Sequence, residues 1–161
     1  MRVVLYNPDI PQNTGNIGRT CLALGASLIL VRPLGFSLLD KFVKRAGMDY
    51  WDQVNVSVVD SLEEALAGVS LDKMFFLSTK GSKYYGEASL PIDGTYIFGS
   101  ESKGLPEEML KQYYNHCYYL PMRPGIRSLN LATTVGVVLF EVVRQNNYSS
   151  YIRKGLSVLS N

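Results

Sequence analysis

The sequence predicts an α/β fold: a mainly parallel sheet flanked by helices. Two observations carry this. Short apolar runs rich in Val, Ile, Phe and Tyr recur from one end of the chain to the other, as strands buried on both faces of a parallel sheet do. Between them lie stretches bounded by helix-capping residues and glycines, and strand–helix alternation of this kind builds parallel sheets through crossover connections.

The first strand is expected from Val3 to Tyr6. Asn13 or Thr14 can cap a helix whose Ile17, Cys21 and Leu24 share one face and which Gly25 ends. A second strand is expected from Ser27 to Val31, then a helix opened by Ser37 that runs through Phe42 and Arg45 and stops at Gly47. Val54 to Val59 reads as the third strand. In SLEEALAG, Ser61 and Glu64 form a capping box, with Gly68 at the exit. Met74 to Ser78 and Tyr96 to Phe98 are the fourth and fifth strands. Pro106 suits the first turn of a helix through Met109. Cys117 to Leu120 is the sixth strand, and the longest helix is expected from about Leu129 to Arg144.

Composition narrows the class. With 161 residues, 47% hydrophobic and a net charge of only +2, the chain is apolar enough to fold and is read as one domain, 1–161. A chain of this length buries roughly 70% of its unfolded surface, so it needs no disulfide or metal to hold a core. Two cysteines, Cys21 and Cys117, are too few for a disulfide scaffold and suit a reducing compartment. The longest uncharged stretches, Thr20 to Val31 and Ser128 to Phe140, fall short of the ~20 residues of a membrane span. The start, MRVVLYNPDIPQN, reads as a strand rather than a leader, so a cytoplasmic protein is expected.

Open parallel sheets bind ligands beyond the carboxyl ends of their strands, which directs attention to the loops after Tyr6, Ser78, Phe98 and Leu120. In YIFGSESKGLPEE, Gly99 and Gly104 enclose four residues, yet Leu105-Pro106 stands where a phosphate loop needs Lys and Ser or Thr. Two readings stay open: a tight glycine turn, or a ligand loop in which Glu101 sits where backbone can approach a ligand. In PMRPGIRSLNLATT, Ser128 and Asn130 lie at a helix start and fit plain capping. Arg123 and Arg127 crowd the same loop, however, and positive charge there opposes the helix dipole unless an anion visits. In NPDIPQNTGNIGRT, Pro8 and Pro11 fix the exit from the first strand. Asn13, Asn16 and Arg19 follow, and Arg19 is either a surface arginine or a group projected toward the same ligand. Hydrolytic machinery is missing. His116 is the only histidine, and no G-x-S-x-G, C-x-x-C or paired-histidine motif occurs, so no metal is expected.

Taken in order, N-x-G-N-I-G-R, F-G-S-E-S-K-G-L-P and L-P-M-R-P-G-I-R-S-L-N-L resemble the three motifs of the SpoU class of SPOUT RNA methyltransferases, from Val3 to about Gln145. LYNPDIPQNTGNIGR, KRAGMDYW (Lys44 to Trp51) and LSTKG (Leu77 to Gly81) are similar to the minimal members that act on the tRNA wobble position without an appended RNA-binding domain. The chain departs from the pattern at Ser100, where proline is common, and at Ala132-Thr133-Thr134, in place of a Ser-Asn pair.

The resemblance implies a deep C-terminal trefoil knot, with knot and cofactor site at roughly 75–146, and S-adenosylmethionine as methyl donor. The implied reaction is methyl transfer to the ribose 2'-hydroxyl of a wobble cytidine or modified uridine in tRNA. Another tRNA or rRNA position, or a non-catalytic nucleotide- or RNA-binding module, are the alternatives. Residue by residue it implies Asn13, Arg19, Glu101, Ser128 and Asn130 as the functional set. Leu77, Ser78, Gly99, Gly104, Leu120, Met122, Ser128 and Leu129 would surround the donor. A guanidinium stays protonated, so Arg19 suits stabilising an alkoxide or gripping a phosphate better than acting as a base. The implied partners are a tRNA anticodon loop and a second copy of the chain. Candidate RNA contacts are Lys41, Lys44, Arg45, Arg123, Arg127, Arg144, Arg153 and Lys154. Val135, Val138, Leu139 and Val142 of the last helix are candidates for the contact between copies, or for burial within one subunit.

Overall fold

A computed structural model of the chain describes residues 1–37 and 48–147. The helix expected from Ser37 to Gly47 falls largely outside that description, as do Lys41, Lys44, Arg45, Arg153 and Lys154.

Among the described residues seven strands form one sheet: β1 (Arg2–Tyr6), β2 (Ser27–Val31), β3 (Val56–Val59), β4 (Met74–Leu77), β5 (Lys83–Tyr84), β6 (Thr95–Phe98) and β7 (Cys117–Tyr119). Their order is β3-β2-β1-β6-β4-β7-β5, and every pairing is parallel. The helices are α1 (Pro11–Leu24), α2 (Leu62–Leu66), α3 (Glu107–Gln112) and α4 (Leu131–Gln145). Strand residues alternate between two apolar layers, as the period of two requires. Val3, Leu5, Leu28, Leu30, Phe75 and Tyr96 pack with Ile17 and Cys21 of α1 and Val138, Leu139 and Val142 of α4. Val4, Ile29, Phe76 and Ile97 pack on the opposite face with Leu62 and Leu66 of α2 and Leu110 of α3. The α/β reading is correct.

The register sets Leu5 and Leu77 on either side of Phe98, so β1, β4 and β6 end level and release their loops at one edge. Two of those loops leave in opposite directions. β1 continues through α1 to β2 on one side, while the adjacent β6 continues through α3 to β7 on the other. Divergence of this kind opens a crevice at the sheet edge.

Local boundaries differ from the sequence reading in instructive ways. Helix α1 begins at Pro11, with Ile10 as a cap that offers no side-chain bond, so Asn13 and Thr14 sit buried inside the helix rather than capping it. Pro at the first helical position accounts for this, because its missing N–H is not needed there. Gly25 ends α1 at φ +65°, as expected. Ser61 Oγ accepts from the Glu64 N–H, but the Glu64 carboxylate accepts from Asp60 N–H, one residue before the position a capping box prescribes. Strand β3 starts at Val56 because the Val54 N–H is spent on Trp51 O, closing a 3-10 turn over Met48–Gln53. Asn130, not Ser128, caps α4. Val135, Val138, Leu139 and Val142 are fully buried against their own sheet, so they cannot furnish a face between copies. The outward apolar residues of α4 are instead Val137 and Phe140, the latter 53% exposed.

Candidate active site

A cleft of about 620 Å³ opens at the carboxyl edge of the sheet, within the size range of cofactor pockets. Its walls are the loops after β4, β6 and β7 and the start of α1. Leu77, Ser78, Gly99, Gly104, Leu120, Met122, Ser128 and Leu129 all line it, as do Asn13, Glu101 and Asn130. Arg19 does not.

The glycine positions have identifiable causes. A Cβ on Gly99 would lie 2.1 Å from the Gly104 carbonyl carbon, because the loop after β6 doubles back on itself through the Ser100–Gly104 bridge. Gly104 N–H donates to Ser100 O at 2.9 Å, and Gly104 adopts φ +70°. Gly99 therefore serves the loop's own closure, and of the two open readings the tight turn describes its backbone. Gly81, which the sequence reading left without a role, would place a Cβ 2.4 Å from the Tyr118 carbonyl carbon. The loop after β4 is laid directly over β7, with Ser78 N–H donating to Tyr118 O at 2.9 Å.

Three of the candidate polar residues meet in one chain of hydrogen bonds. Thr133 N–H donates to Asn130 Oδ1 (3.2 Å), and Asn130 Nδ2 donates to Asn13 Oδ1 (3.0 Å). Asn13 Nδ2 then donates to Glu101 Oε1 (2.8 Å), while Glu101 Oε2 accepts from Asp9 N–H (2.8 Å). The chain ties the start of α4, the first turn of α1 and the loop after β6 into one wall. Both carboxylate oxygens of Glu101 are engaged, so Glu101 acts here as a latch between loops. Asp9 extends the latch, its Oδ2 accepting from both the Ser102 N–H (3.0 Å) and the Ser102 hydroxyl (2.6 Å). Sequence reasoning missed Asp9 and Ser102. The signal available was a carboxylate held by the two flanking prolines, Pro8 and Pro11.

The other candidates are distributed. Arg127 lines the cleft and donates to Ser102 O at 3.3 Å, joining the loop after β7 to the loop after β6. Ser128 lines the cleft mouth and is exposed. Arg144 is held by Glu141 through two 2.7 Å bonds on the helix surface, so its charge is already paired. Arg19 is exposed on α1, with its guanidinium carbon 5.3 Å from the centre of the Tyr50 ring. Trp51 fixes that turn against the helix, since a Cβ on Gly18 would lie 2.7 Å from its ring. His116 lies in the turn before β7, outside the cleft lining. Burial pushes the Cys21 thiol up to about 12 and also raises that of Cys117, so neither is poised as a thiolate. Among the described residues no group of three or more His, Cys, Asp or Glu could hold a metal, and no helix is long and apolar enough to cross a membrane.

A parallel sheet whose cleft is walled by the loops after β4, β6 and β7 is a form found in known proteins. Proteins that share the form or sequence of this chain include the following three. A protein of Methylovorus glucosotrophus named tRNA (cytidine(34)-2'-O)-methyltransferase is 44% identical over 151 residues, covering 93% of this chain and 98% of its own. A solved structure described as giving insight into the 2-OH methylation of C/U34 on tRNA is 42% identical, with a TM-score of 0.84 over 91% of this chain and 96% of that one. An AdoMet-bound rRNA methyltransferase of Sinorhizobium meliloti is 27% identical, with a TM-score of 0.76 over 89% of this chain and 55% of that one. The chain belongs to the SpoU rRNA Methylase family, whose pattern matches residues 1–140.

Proposed function

We propose that this protein transfers a methyl group from S-adenosylmethionine to the ribose 2'-hydroxyl of the wobble nucleotide of tRNA, working as a homodimer in the cytoplasm. The observation that carries the reading is the latch of Asn13, Glu101 and Asn130, which joins three motif loops around one cleft. The names of relatives 42–44% identical over almost the whole chain supply the substrate.

The cleft fits the donor. Leu77, Leu120 and Leu129 offer apolar walls for an adenosine, and the backbone from Gly99 to Gly104 offers polar edges. Bound S-adenosylmethionine supplies a methyl group already activated on a sulfonium. The chain therefore needs chiefly to position the ribose and manage the hydroxyl proton, with no metal and no covalent intermediate. Glu101 and Asn130 hold the loops that shape the site, and Ser128 orders the ribose at the mouth. Arg19 stabilises the developing alkoxide or grips the neighbouring phosphate. Arg19 does not line the cleft of its own chain, which supports a reading in which each cleft takes Arg19 from the partner subunit. The loops near Leu77, near Gly99 and from Leu120 to Asn130 form the trefoil knot that the resemblance implies.

Incubation of purified protein with labelled donor and total tRNA, followed by mapping of the label, tests the proposal. Label on the 2'-oxygen of the wobble nucleotide is expected. Label confined to another tRNA position or to rRNA would redirect the substrate, and donor binding without transfer would make the chain a binding module.

A further inference from the structure

Across the loop from Ser100 to Gly104, beside the cleft, lies a second cavity of about 430 Å³. It sits where β1 and β6 send their loops in opposite directions, the place at which open parallel sheets take ligands. Its apolar walls are Tyr6, Pro33, Leu34 and Pro106, and its polar groups include Asn7 and Lys103. We propose that this cavity holds the base of the ribonucleotide adjacent to the methylated one, with Lys103 on the phosphate between them, a reading that rests on RNA being the substrate.

Three features support this. Ser100, Lys103 and Gly104 line both cavities, so an RNA strand with its ribose in the cleft crosses the shared wall at Lys103. Lys103 is exposed, and its amine has no ion pair or hydrogen bond among the described residues. Asp9 also lines the cavity, and its Oδ2 accepts from the Ser102 N–H and hydroxyl rather than from Lys103. Unpaired RNA bases are recognised by splaying onto aromatic and apolar surfaces with polar groups at their edges, the combination that Tyr6, the prolines and Asn7 offer.

The cavity is also built to keep its shape. Asn7 Nδ2 donates to Arg32 O (2.5 Å), and Gly35 N–H donates to Pro8 O (2.9 Å). A Cβ on Gly35 would lie 2.8 Å from the Asp9 Cα, so the two walls are in direct backbone contact. Asp9 N–H, bonded to Glu101, connects this floor to the latch of the cleft.

The test uses the full chain and anticodon stem-loop RNAs that carry an abasic site on either side of the wobble nucleotide. For one of the two abasic RNAs, KM should rise about tenfold or more while donor affinity stays the same. Leu34→Trp, which fills the cavity, should raise KM for intact RNA and make the enzyme indifferent to that abasic site. Lys103→Ala, at an exposed position, should raise KM for all the RNAs. Intact and abasic RNAs methylated with equal KM, or Leu34→Trp and abasic effects that multiply, would overturn the inference. Failure of the wild type to methylate intact stem-loop would overturn the proposed function itself, and this inference with it.

Discussion

Replacing Glu101 by Gln removes one acceptor from a chain that has none to spare. The chain begins and ends on backbone donors, Asp9 N–H and Thr133 N–H, and has four contacts between them. Four contacts need four acceptor oxygens. The Glu101 carboxylate supplies two, and Asn13 and Asn130 supply one each. With Gln at 101 three acceptors remain, and no set of amide flips avoids one donor facing another. Asn13 is only 6% exposed, so water cannot easily make up the loss. Losing a hydrogen bond to a charged group while leaving a buried donor unpaired costs about 2–3 kcal/mol. For a chain of this size that lowers the melting temperature by about 5–10 °C. Urea unfolding and thermal melting of Glu101→Gln measure it. The sharper check is Glu101→Gln combined with Asn13→Asp, which moves the carboxylate one place along and restores four acceptors in nearly the same shape. The pair should recover most of the lost stability. A double variant as unstable as the sum of its singles would refute the acceptor count.

Arg19→Ala should lower turnover by about 10²–10³-fold with donor affinity unchanged, as expected of a group acting on the reacting ribose or its phosphate; a parallel loss of donor affinity would put Arg19 in the cofactor pocket. Mixing Arg19→Ala subunits with subunits inactivated at Asn130 should restore part of the activity if each cleft borrows its arginine, and no recovery would place Arg19 in its own cleft. Tyr50→Leu removes the ring beneath Arg19 and should reduce turnover with no change in donor binding, while Tyr50→Phe, which keeps the ring, should not. Thr95→Val should be neutral or stabilising by up to about 1 kcal/mol in urea unfolding, since the Thr95 hydroxyl is buried in β6 without a hydrogen-bond partner among the described residues. Full methyl transfer is expected after exhaustive chelation, and activity restored only by added metal would contradict the mechanism.

The sheet was legible because its strands are continuous apolar runs, and each expected strand has an observed counterpart. Strand β5 was not legible: Lys83–Tyr84 is two residues at the sheet edge, too short for any period to register. Helix starts were misplaced where a good capping residue stood near the true start. Asn13 has a capping side chain, but Pro11 had already opened α1, and that left the Asn13 amide free to reach Glu101. At Asn130 the capping reading is right and a second contact joins it, because Oδ1 caps α4 while Nδ2 reaches Asn13. The cleft lining was legible through motif order. The pairing of Glu101 with Asp9, 92 residues away, depends on β1 and β6 lying side by side, and local sequence carries no sign of it.

The central claim is that the reacting atom is one particular ribose oxygen. Anticodon stem-loops with a single 2'-deoxyribose, placed in turn at the wobble nucleotide and at each neighbour, test it directly with labelled donor. Loss of all label with the wobble deoxyribose, and full labelling with the others, is expected. Undiminished labelling of the RNA that lacks the wobble 2'-hydroxyl would contradict the account.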